Sequence, residues 1–111
     1  MSDCLFCKII AGDIPSKQVY EDDHLVVFHD IAPKAPTHVL VVPRKHIATL
    51  NDADNSDHDL FGHIALTIPK IAKQLGLTDG YRTVLNTDKG GGQEVFHIHF
   101  HILGGGPMPF A

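Results

Sequence analysis

The amino-acid sequence predicts an α+β fold with a mostly antiparallel sheet, a short N-terminal helix and one long helix. Short segments rich in β-branched residues alternate with turn residues, a pattern typical of strands. One longer segment, from about residue 57 to residue 75, carries apolar residues at helical spacing. We find no internal repeat or linker, and 111 residues suit one core, so we expect a single domain over residues 1–111.

The first element is expected to be a helix over Cys4–Ala11. Ser2 and Asp3 lie just before it, where their side chains can accept hydrogen bonds from the first free N–H groups of a helix. Gly12 and then Pro15 should end this helix, which is therefore expected to be short.

Three strands and a polar connection are expected next. Residues 18–21 and 25–30 are strand-like and flank the polar turn at 22–24. Residues 37–43, THVLVVP, form a β-branched run that predicts a buried strand. A polar connection rich in Asp and Asn follows over residues 51–59.

The long helix is expected from about Asp57 to Leu75. Pro69 lies inside the helical pattern and should kink the helix or split it in two, because proline lacks the N–H group that the helix uses. Gly76 is suited to cap the C-terminus. The apolar positions of the pattern are Leu60, Ile64, Leu66, Ile68, Ile71, Ala72 and Leu75.

Two more strands, Tyr81–Asn86 and Val95–Leu103, are expected to complete the sheet, joined by a glycine-rich loop over Thr87–Gln93. Alternate side chains of a strand share one face. The three alternate histidines of the last strand should therefore line one surface, while the apolar residues between them face the core.

These histidines, His97, His99 and His101, allow three interpretations. They could form a solvated polar face, a three-histidine metal centre with an open position, or a site where imidazole acts as nucleophile, acid and base. The glycine run at 90–92 favours the third, because glycines let backbone N–H groups approach an anion closely. We therefore expect a phosphate to bind beside imidazole.

Composition narrows the class of protein. The net charge of −4 argues against a broad nucleic-acid-binding surface, which would be basic. Because we find no leader and no apolar run long enough to span a membrane, we expect a cytoplasmic protein without nucleic-acid or membrane partners. Cys4 and Cys7 are too close together for a secreted disulfide framework and suit a metal site or a reduced interior.

Several motifs follow one another along the chain: FHDI at 28–31, APTH at 35–38, PRKH at 43–46, Asn86 followed by GGQ at 91–93, and VFHIHFHIL at 95–103. These motifs resemble those of one known family, the histidine triad (HIT) nucleotide-binding proteins, and in particular their Hint branch. The resemblance implies a HIT-like α+β fold, a homodimer with one continuous sheet, and hydrolysis or transfer at the α-phosphorus of nucleotides.

The resemblance implies roles for three histidines. His99 would be the nucleophile that forms a nucleotidyl–histidine intermediate, which water later cleaves. Imidazole of ordinary pKa is mostly neutral at pH 7 and can attack without a dedicated base. His101 would stabilise the charge that develops on the phosphate oxygens. His38 would complete a proton relay or, alternatively, make a structural hydrogen bond in the core.

The nucleotide contacts are expected from both chemistry and resemblance. The Asp30 carboxylate suits the two vicinal ribose hydroxyls, while Asn86 and nearby backbone N–H groups would hold the phosphate. Many Hint proteins carry serine where this chain has Glu94, which leaves open the group that assists the departing amine. The expected contacts are Phe6, Ile9, Phe28 and Ile31 around the base, and His29, Asp30, Asn86, Gly92, Gln93, Glu94, Val95, His99 and His101 around the sugar and phosphate.

Cys4 and Cys7 have the spacing of a zinc clasp. A closed structural zinc site needs four ligands, and the resemblance implies that His46 and His97 complete it. The alternative is that both cysteines merely pack as small hydrophobic side chains. A redox pair is less favoured, because no thioredoxin-like βαβ pattern surrounds the two residues.

These features together predict a hydrolase of purine nucleoside 5′-phosphoramidates, such as adenosine 5′-monophosphoramidate, that binds AMP and GMP. Two alternatives stay open. One is a dinucleoside polyphosphate hydrolase or nucleotidyltransferase of the same family, and the other is a nucleotide-binding interaction module whose catalysis is incidental.

Overall fold

The computed structural model describes residues 4–108 and contains a five-stranded antiparallel sheet, a short helix and a long helix. The predicted α+β class is therefore confirmed. The strands lie in the sheet order β1-β2-β3-β5-β4. They are β1 (Gln18–Glu21), β2 (Leu25–His29), β3 (Thr37–Pro43), β4 (Arg82–Val84) and β5 (Phe100–Gly104), and the helices are α1 (Leu5–Ile10) and α2 (His58–Gln74).

The sheet separates two apolar clusters. Alternation along β2 and β3 sends successive side chains to opposite faces, and both faces are covered, so β3 is buried at every position after Thr37. The α2 face holds Leu25, Val27, Val39, Val41, Ile64, Ile68, Ile71, Ala72, Leu77 and Ile102. The α1 face holds Phe6, Val26, Phe28, Leu40 and Val42.

Helix α2 continues through Pro69, so the alternative in which proline splits the helix is wrong. Pro69 is exposed, as is Ala65, whose carbonyl group loses its helical partner at this point and can bond to water. Ile68 and Ile71, on either side of the proline, are buried against the sheet. Packing on both sides therefore offsets the missing hydrogen bond.

The predicted cap at Gly76 is confirmed. Gly76 follows the helix with a left-handed φ of 80°. Its N–H donates to the carbonyl of Lys73 at 3.1 Å, and the N–H of Leu77 donates to the carbonyl of Ala72 at 2.9 Å. This pair of bonds is a Schellman motif, which glycine accommodates because it has no Cβ.

Helix α1 starts one residue later than expected. Cys4 is its N-cap, and the Cys4 Sγ accepts a hydrogen bond from the N–H of Cys7 at 3.3 Å. The proposed caps Ser2 and Asp3 lie outside the described residues.

The polar connection contains two short 3-10 turns, Leu50–Asp52 and Asn55–Asp57, each closed by a capping box. In the part of the chain that the structure covers, no helix is long and apolar enough to cross a membrane.

The last strand is shorter than predicted, since β5 begins at Phe100 rather than at Val95. The backbone before it bonds to other partners. The N–H of Ile98 donates to the carbonyl of Ile47 at 2.7 Å, and the carbonyl of Val95 accepts from the Gln93 side chain at 3.0 Å. The expected strand before the glycine loop is likewise reduced to β4, whose three residues pair with β5.

Candidate active site and metal centre

The three alternate histidines lie on the α1 side of the sheet but divide between two clusters. His97 and His99 are 0% and 7% exposed, which excludes the solvated polar face. His97 turns toward the cysteines of α1, whereas His101 contacts His38 on β3. Among residues 4–108, no group with metal-ligand spacing contains all three, so the three-histidine metal centre is also wrong.

The first cluster is formed by Cys4, Cys7, His46 and His97, whose ligand atoms all lie within 4.8 Å of one another. The His97 Nδ1 is 3.3 Å from the Cys4 Sγ, 3.5 Å from the Cys7 Sγ and 3.1 Å from the His46 Nδ1. Tetrahedral zinc with bonds of about 2.0–2.3 Å places its ligand atoms about 3.3–3.8 Å apart. The residues therefore fit a zinc ion with two sulfur and two nitrogen ligands.

The protonation of His97 also suits a metal ligand. Its Nε2 lies 2.7 Å from the carbonyl oxygen of Pro43, which can only accept, so Nε2 carries the proton and Nδ1 has a free lone pair. Burial lowers the pKa of His97 and keeps the ring neutral. Burial and the neighbouring Cys4 raise the pKa of Cys7. A bound cation would offset the repulsion between two thiolates.

A cavity of about 1090 Å³ opens beside this cluster. Its lining includes Cys4, Cys7 and His46, together with Glu94 and Phe96. A metal ion in solution therefore has a path to the ligand atoms, which a site that loads after folding requires.

The second cluster contains His99, His101, His38 and Asp30. The His99 Nδ1 lies 2.8 Å from the carbonyl oxygen of His97 and must donate to it, so the Nε2 of His99 is unprotonated. The His99 ring packs edge-on against Phe6, with ring centroids 5.0 Å apart. His99 therefore presents a lone pair on a ring whose orientation is fixed from two sides.

His101 has the opposite proton arrangement. The His38 Nδ1 accepts a hydrogen bond from the backbone N–H of Lys34 at 3.0 Å, so the proton of neutral His38 is on Nε2. That Nε2–H donates to the His101 Nδ1 at 2.9 Å, which leaves the His101 proton on Nε2. The His99 and His101 ring centroids are 5.0 Å apart. The lone pair on the His99 Nε2 and the N–H donor on the His101 Nε2 therefore belong to neighbouring rings.

Burial keeps these imidazoles neutral. Desolvation lowers the pKa of His38 and of His99. For His101, desolvation and the neighbouring histidines lower the pKa to about 4. At pH 7 the Nε2 lone pair of His99 is consequently available, which is what an attacking imidazole would require.

The glycine loop uses most of its N–H groups internally. Residues 89–91 form a 3-10 turn, in which the N–H groups of Gly91 and Gln93 donate to the carbonyl of Asp88 and that of Gly92 donates to the carbonyl of Lys89. The N–H groups of Gly90, Glu94 and Val95 make no hydrogen bond among the described residues, so these amides are open to an anion.

The side chain of Gln93 is fully occupied by the protein. Its amide nitrogen donates to the carbonyls of Ala48 and Val95 at 2.7 and 3.0 Å, and its oxygen accepts from the N–H of Asp88 at 2.8 Å. Gln93 is 5% exposed. It therefore holds the loop in place, and its backbone N–H is also occupied, because it donates to the carbonyl of Asp88.

The other expected nucleotide contacts are spread over different environments. Phe6 and Phe28 are buried and stack edge-on at 5.5 Å, so they belong to the core beneath the site. Ile31 is 99% exposed. His29 is exposed, while Ile9 and Asn86 are half-buried. Their contacts with a base, sugar or phosphate stay predictions.

Sequence reasoning missed Lys34. Its contribution comes from a backbone N–H group, which every residue except proline has, so no residue pattern marks it. The sequence did mark the carboxylate on the other side of the His38 ring, since Asp30 follows directly after an apolar strand. The Asp30 Oδ2 lies 3.5 Å from the His38 Nε2, and the Oδ1 accepts from the N–H of Ala32 at 2.8 Å.

Two curated proteins are similar to this chain over nearly its whole length. Protein HitA of Neisseria gonorrhoeae is 52% identical over 104 residues, which cover 94% of this chain and 97% of that protein. A purine nucleoside phosphoramidase of Escherichia coli (strain K12) is 48% identical over 105 residues, which cover 94% of this chain and 88% of that protein.

Solved structures and a family model agree with this likeness. A HIT family hydrolase from Legionella pneumophila Philadelphia 1 matches with a TM-score of 0.93 and 51% identity over 96% of each chain. A histidine triad protein from Clostridium difficile matches with a TM-score of 0.95 and 47% identity over 100% of this chain and 97% of that one. The model of the HIT domain matches residues 11–108. The chain belongs to the HIT family.

Proposed function

We propose that this HIT protein hydrolyses purine nucleoside 5′-phosphoramidates through a nucleotidyl intermediate on His99. The observation that carries the proposal is the pair of opposite proton placements on His99 and His101, whose ring centroids are 5.0 Å apart. Attack at phosphorus needs a lone pair, and the charge that develops needs a donor beside it. The similarity to a purine nucleoside phosphoramidase supports an amine as the leaving group.

The reaction has two halves in this proposal. The His99 Nε2 attacks the α-phosphorus, the P–N bond breaks, and the amine leaves after taking up a proton from solvent. The His101 Nε2–H donates to a non-bridging phosphoryl oxygen while charge builds up on it. Water then attacks the same phosphorus, the bond to His99 breaks, and the nucleoside monophosphate is released with the imidazole regenerated.

We also propose that the cluster of Cys4, Cys7, His46 and His97 holds one structural zinc ion. Zinc would join α1 to the segments that carry His46 and His97, and no step of the reaction passes through it. Paired cysteines that bind metal rather than form a disulfide are typical of reducing compartments, which supports a cytoplasmic location.

The substrate class is tested by comparing kcat/KM for adenosine 5′-phosphoramidate with kcat/KM for a diadenosine polyphosphate. We expect kcat/KM to be higher for the phosphoramidate, because the proposed reaction at the α-phosphorus breaks a P–N bond. Faster cleavage of the polyphosphate would favour the polyphosphate hydrolase of the same family. Binding of AMP with turnover of neither compound would favour the interaction module.

Sugar selectivity is assigned to Asp30. If its carboxylate binds both ribose hydroxyls, a 2′-deoxy substrate leaves one lone pair of the carboxylate desolvated and without a donor. That loss costs about 1–3 kcal/mol, or roughly 5- to 150-fold in kcat/KM. We expect Asp30→Ala to slow the ribonucleoside phosphoramidate by about this factor more than the deoxyribonucleoside phosphoramidate, because the loss of the bond from Ala32 to Asp30 affects both substrates alike.

Asp30→Asn is the matched control for this prediction, because an amide oxygen can still accept the hydrogen bond from the N–H of Ala32. It should keep the turn and lose most of the ribose preference. Equal slowing of both substrates by Asp30→Ala, with no effect of Asp30→Asn, would mean that the carboxylate is only structural.

The values of kcat/KM for adenine and guanine substrates should differ by less than about tenfold, since apolar contacts with the base discriminate poorly.

We further propose that residues 1–111 form one domain that assembles as a homodimer. Strand β4 is an edge of the sheet and leaves backbone groups unpaired, and pairing across a two-fold axis would satisfy them. Leu66, 73% exposed on α2, is a candidate to be covered by the partner.

Light scattering should give a particle of twice the 12.1 kDa mass of one chain, and Leu66→Asp should lower this measured mass. A 12.1 kDa particle at micromolar concentration would contradict the dimer.

A further inference from the structure

Within residues 4–108, two groups of side chains have metal-ligand spacing. One is the cysteine cluster of Cys4, Cys7, His46 and His97, and the other is the relay cluster of Asp30, His38 and His101. In each group the ligand atoms lie within 4.8 Å of one another. Spacing alone therefore does not explain why one cluster should bind zinc and the other should transfer protons.

The hydrogen bond on the far side of the histidine ring distinguishes the two clusters. In the cysteine cluster, His97 donates from Nε2 to a carbonyl oxygen, so the nitrogen that faces the cysteines has a lone pair. In the relay cluster, His38 accepts on Nδ1 from the N–H of Lys34, so the nitrogen that faces Asp30 and His101 carries the proton. A metal at that nitrogen would leave the ring with no proton at all.

We propose that the backbone N–H of Lys34 is the positioning group that keeps the relay cluster a proton relay and excludes zinc from it. Donation to the His38 Nδ1 fixes the proton of His38 on Nε2. The Nε2–H in turn donates to His101 and fixes the proton of His101 on the nitrogen that would meet the phosphate. The catalytic half of this inference rests on the proposed function, whereas the tautomer and the exclusion of zinc do not.

The turn that presents this N–H group is braced at both ends. The Asp30 Oδ1 accepts from the N–H of Ala32 at 2.8 Å, and the Lys34 Nζ donates to the carbonyl of Ala32 at 3.1 Å. The N–H of Lys34 is thereby held 3.0 Å from a histidine that is 4% exposed. Water has little access to replace it as a donor to the His38 Nδ1.

Removal of this one donor should convert the relay cluster into a metal site. His38 could then place its proton on Nδ1, and its Nε2 lone pair would face the Asp30 Oδ2 at 3.5 Å and the His101 Nδ1 at 2.9 Å. Imidazole and carboxylate ligands of this kind bind zinc with a position left open. His101 would also lose its donor, because its proton would no longer be fixed on Nε2.

The decisive variant replaces the amide of residue 34 by an ester, through incorporation of the α-hydroxy analogue of lysine. This change removes the N–H and keeps the side chain. Lys34→Gln is the matched control, since it keeps the backbone N–H and replaces the ammonium group by a neutral amide N–H donor that can still reach toward the carbonyl of Ala32. Ring ¹⁵N spectra report the tautomer of each histidine, and equilibrium dialysis against zinc reports the number of ions bound.

In the wild-type protein and in Lys34→Gln, we expect His38 with a protonated Nε2 and a bare Nδ1, and one zinc ion per chain. The ester protein should bind a second zinc ion and lose about 10²-fold in kcat with little change in KM, as expected for a misplaced donor. Micromolar zinc should inhibit the ester protein, and a mild chelator that leaves the first zinc ion in place should relieve this inhibition.

A His38 ring protonated on Nδ1 in the wild-type protein would overturn the inference even if the ester protein did not fold. An ester protein with unchanged histidine tautomers and a single zinc ion would also overturn it. If the wild-type protein turns over no phosphoramidate, the proposed function fails, while the ring spectra and the zinc count still decide the role of Lys34.

Discussion

His99→Ala is expected to reduce the turnover of nucleoside phosphoramidates to less than a few per cent of the wild-type rate, while AMP still binds. The imidazole forms the bond to phosphorus, so its loss removes the covalent route, whereas the nucleotide is held mainly by other groups. Steady-state kinetics and calorimetry with AMP measure the two effects separately. The rate of the wild-type protein should persist below pH 6.5, because burial lowers the pKa of His99.

Two further variants calibrate this result. His101→Ala should slow the reaction by about 10²–10³, the usual cost of losing one charge-stabilising donor. His58→Ala removes an exposed histidine at the start of α2 and should change neither rate nor affinity. Mass spectrometry of acid-quenched enzyme should find the nucleotidyl adduct on the peptide that contains His99. A His99→Ala protein that retains more than a few per cent of the rate would refute the covalent mechanism.

Cys4→Ser is expected to release zinc from a protein that otherwise carries about one ion per chain, and to lower its thermal stability. Binding energy at a structural metal site contributes to folding. Each kcal/mol lost lowers the Tm of a domain of this size by about 4 °C, and we expect a fall of more than about 10 °C. Metal analysis and calorimetry measure the two changes.

Cys4→Ser isolates the metal contribution, because a serine hydroxyl can still accept the helix-capping hydrogen bond that the Cys4 Sγ accepts from the N–H of Cys7. The activity of the variant should fall only as the structure around His97 loosens, since the His97 carbonyl orients His99. Protein purified without any chelator that contains no zinc would rule out the site.

The sequence predicted those elements whose local pattern and tertiary environment agree. Strand β3 matches its predicted bounds of 37–43, because a β-branched run fits a strand covered on both faces. The C-terminal cap of α2 at Gly76 was equally predictable, since glycine is the residue that most readily adopts a left-handed cap conformation. The predicted break at Pro69 was wrong, because the helix is stabilised there by the burial of the residues on either side of the proline, and burial depends on the tertiary structure.

The region before β5 could not be predicted in detail. The alternation of histidine and apolar residues continues back to Val95, so the pattern alone describes a longer strand than the one that forms. Ligand-like contacts with Cys4 and Cys7 hold His97 in a different cluster from His101, and these residues are distant in sequence. The proton positions on His38 and His99 depend on backbone groups, which carry no signature in the side-chain sequence.

The separation of the two apolar clusters by the sheet has a consequence for how the protein can evolve. The residues under α2 lie on the opposite face of the sheet from Phe6, which contacts His97 and His99, because β2 and β3 send alternate side chains to opposite faces. Free-energy changes at sites without shared partners generally add, and volume-conserving swaps in a core are well tolerated. Stabilising substitutions under α2 should therefore add to the free energy of unfolding independently of the opposite face. They can then offset the destabilisation caused by later substitutions that change specificity on that face.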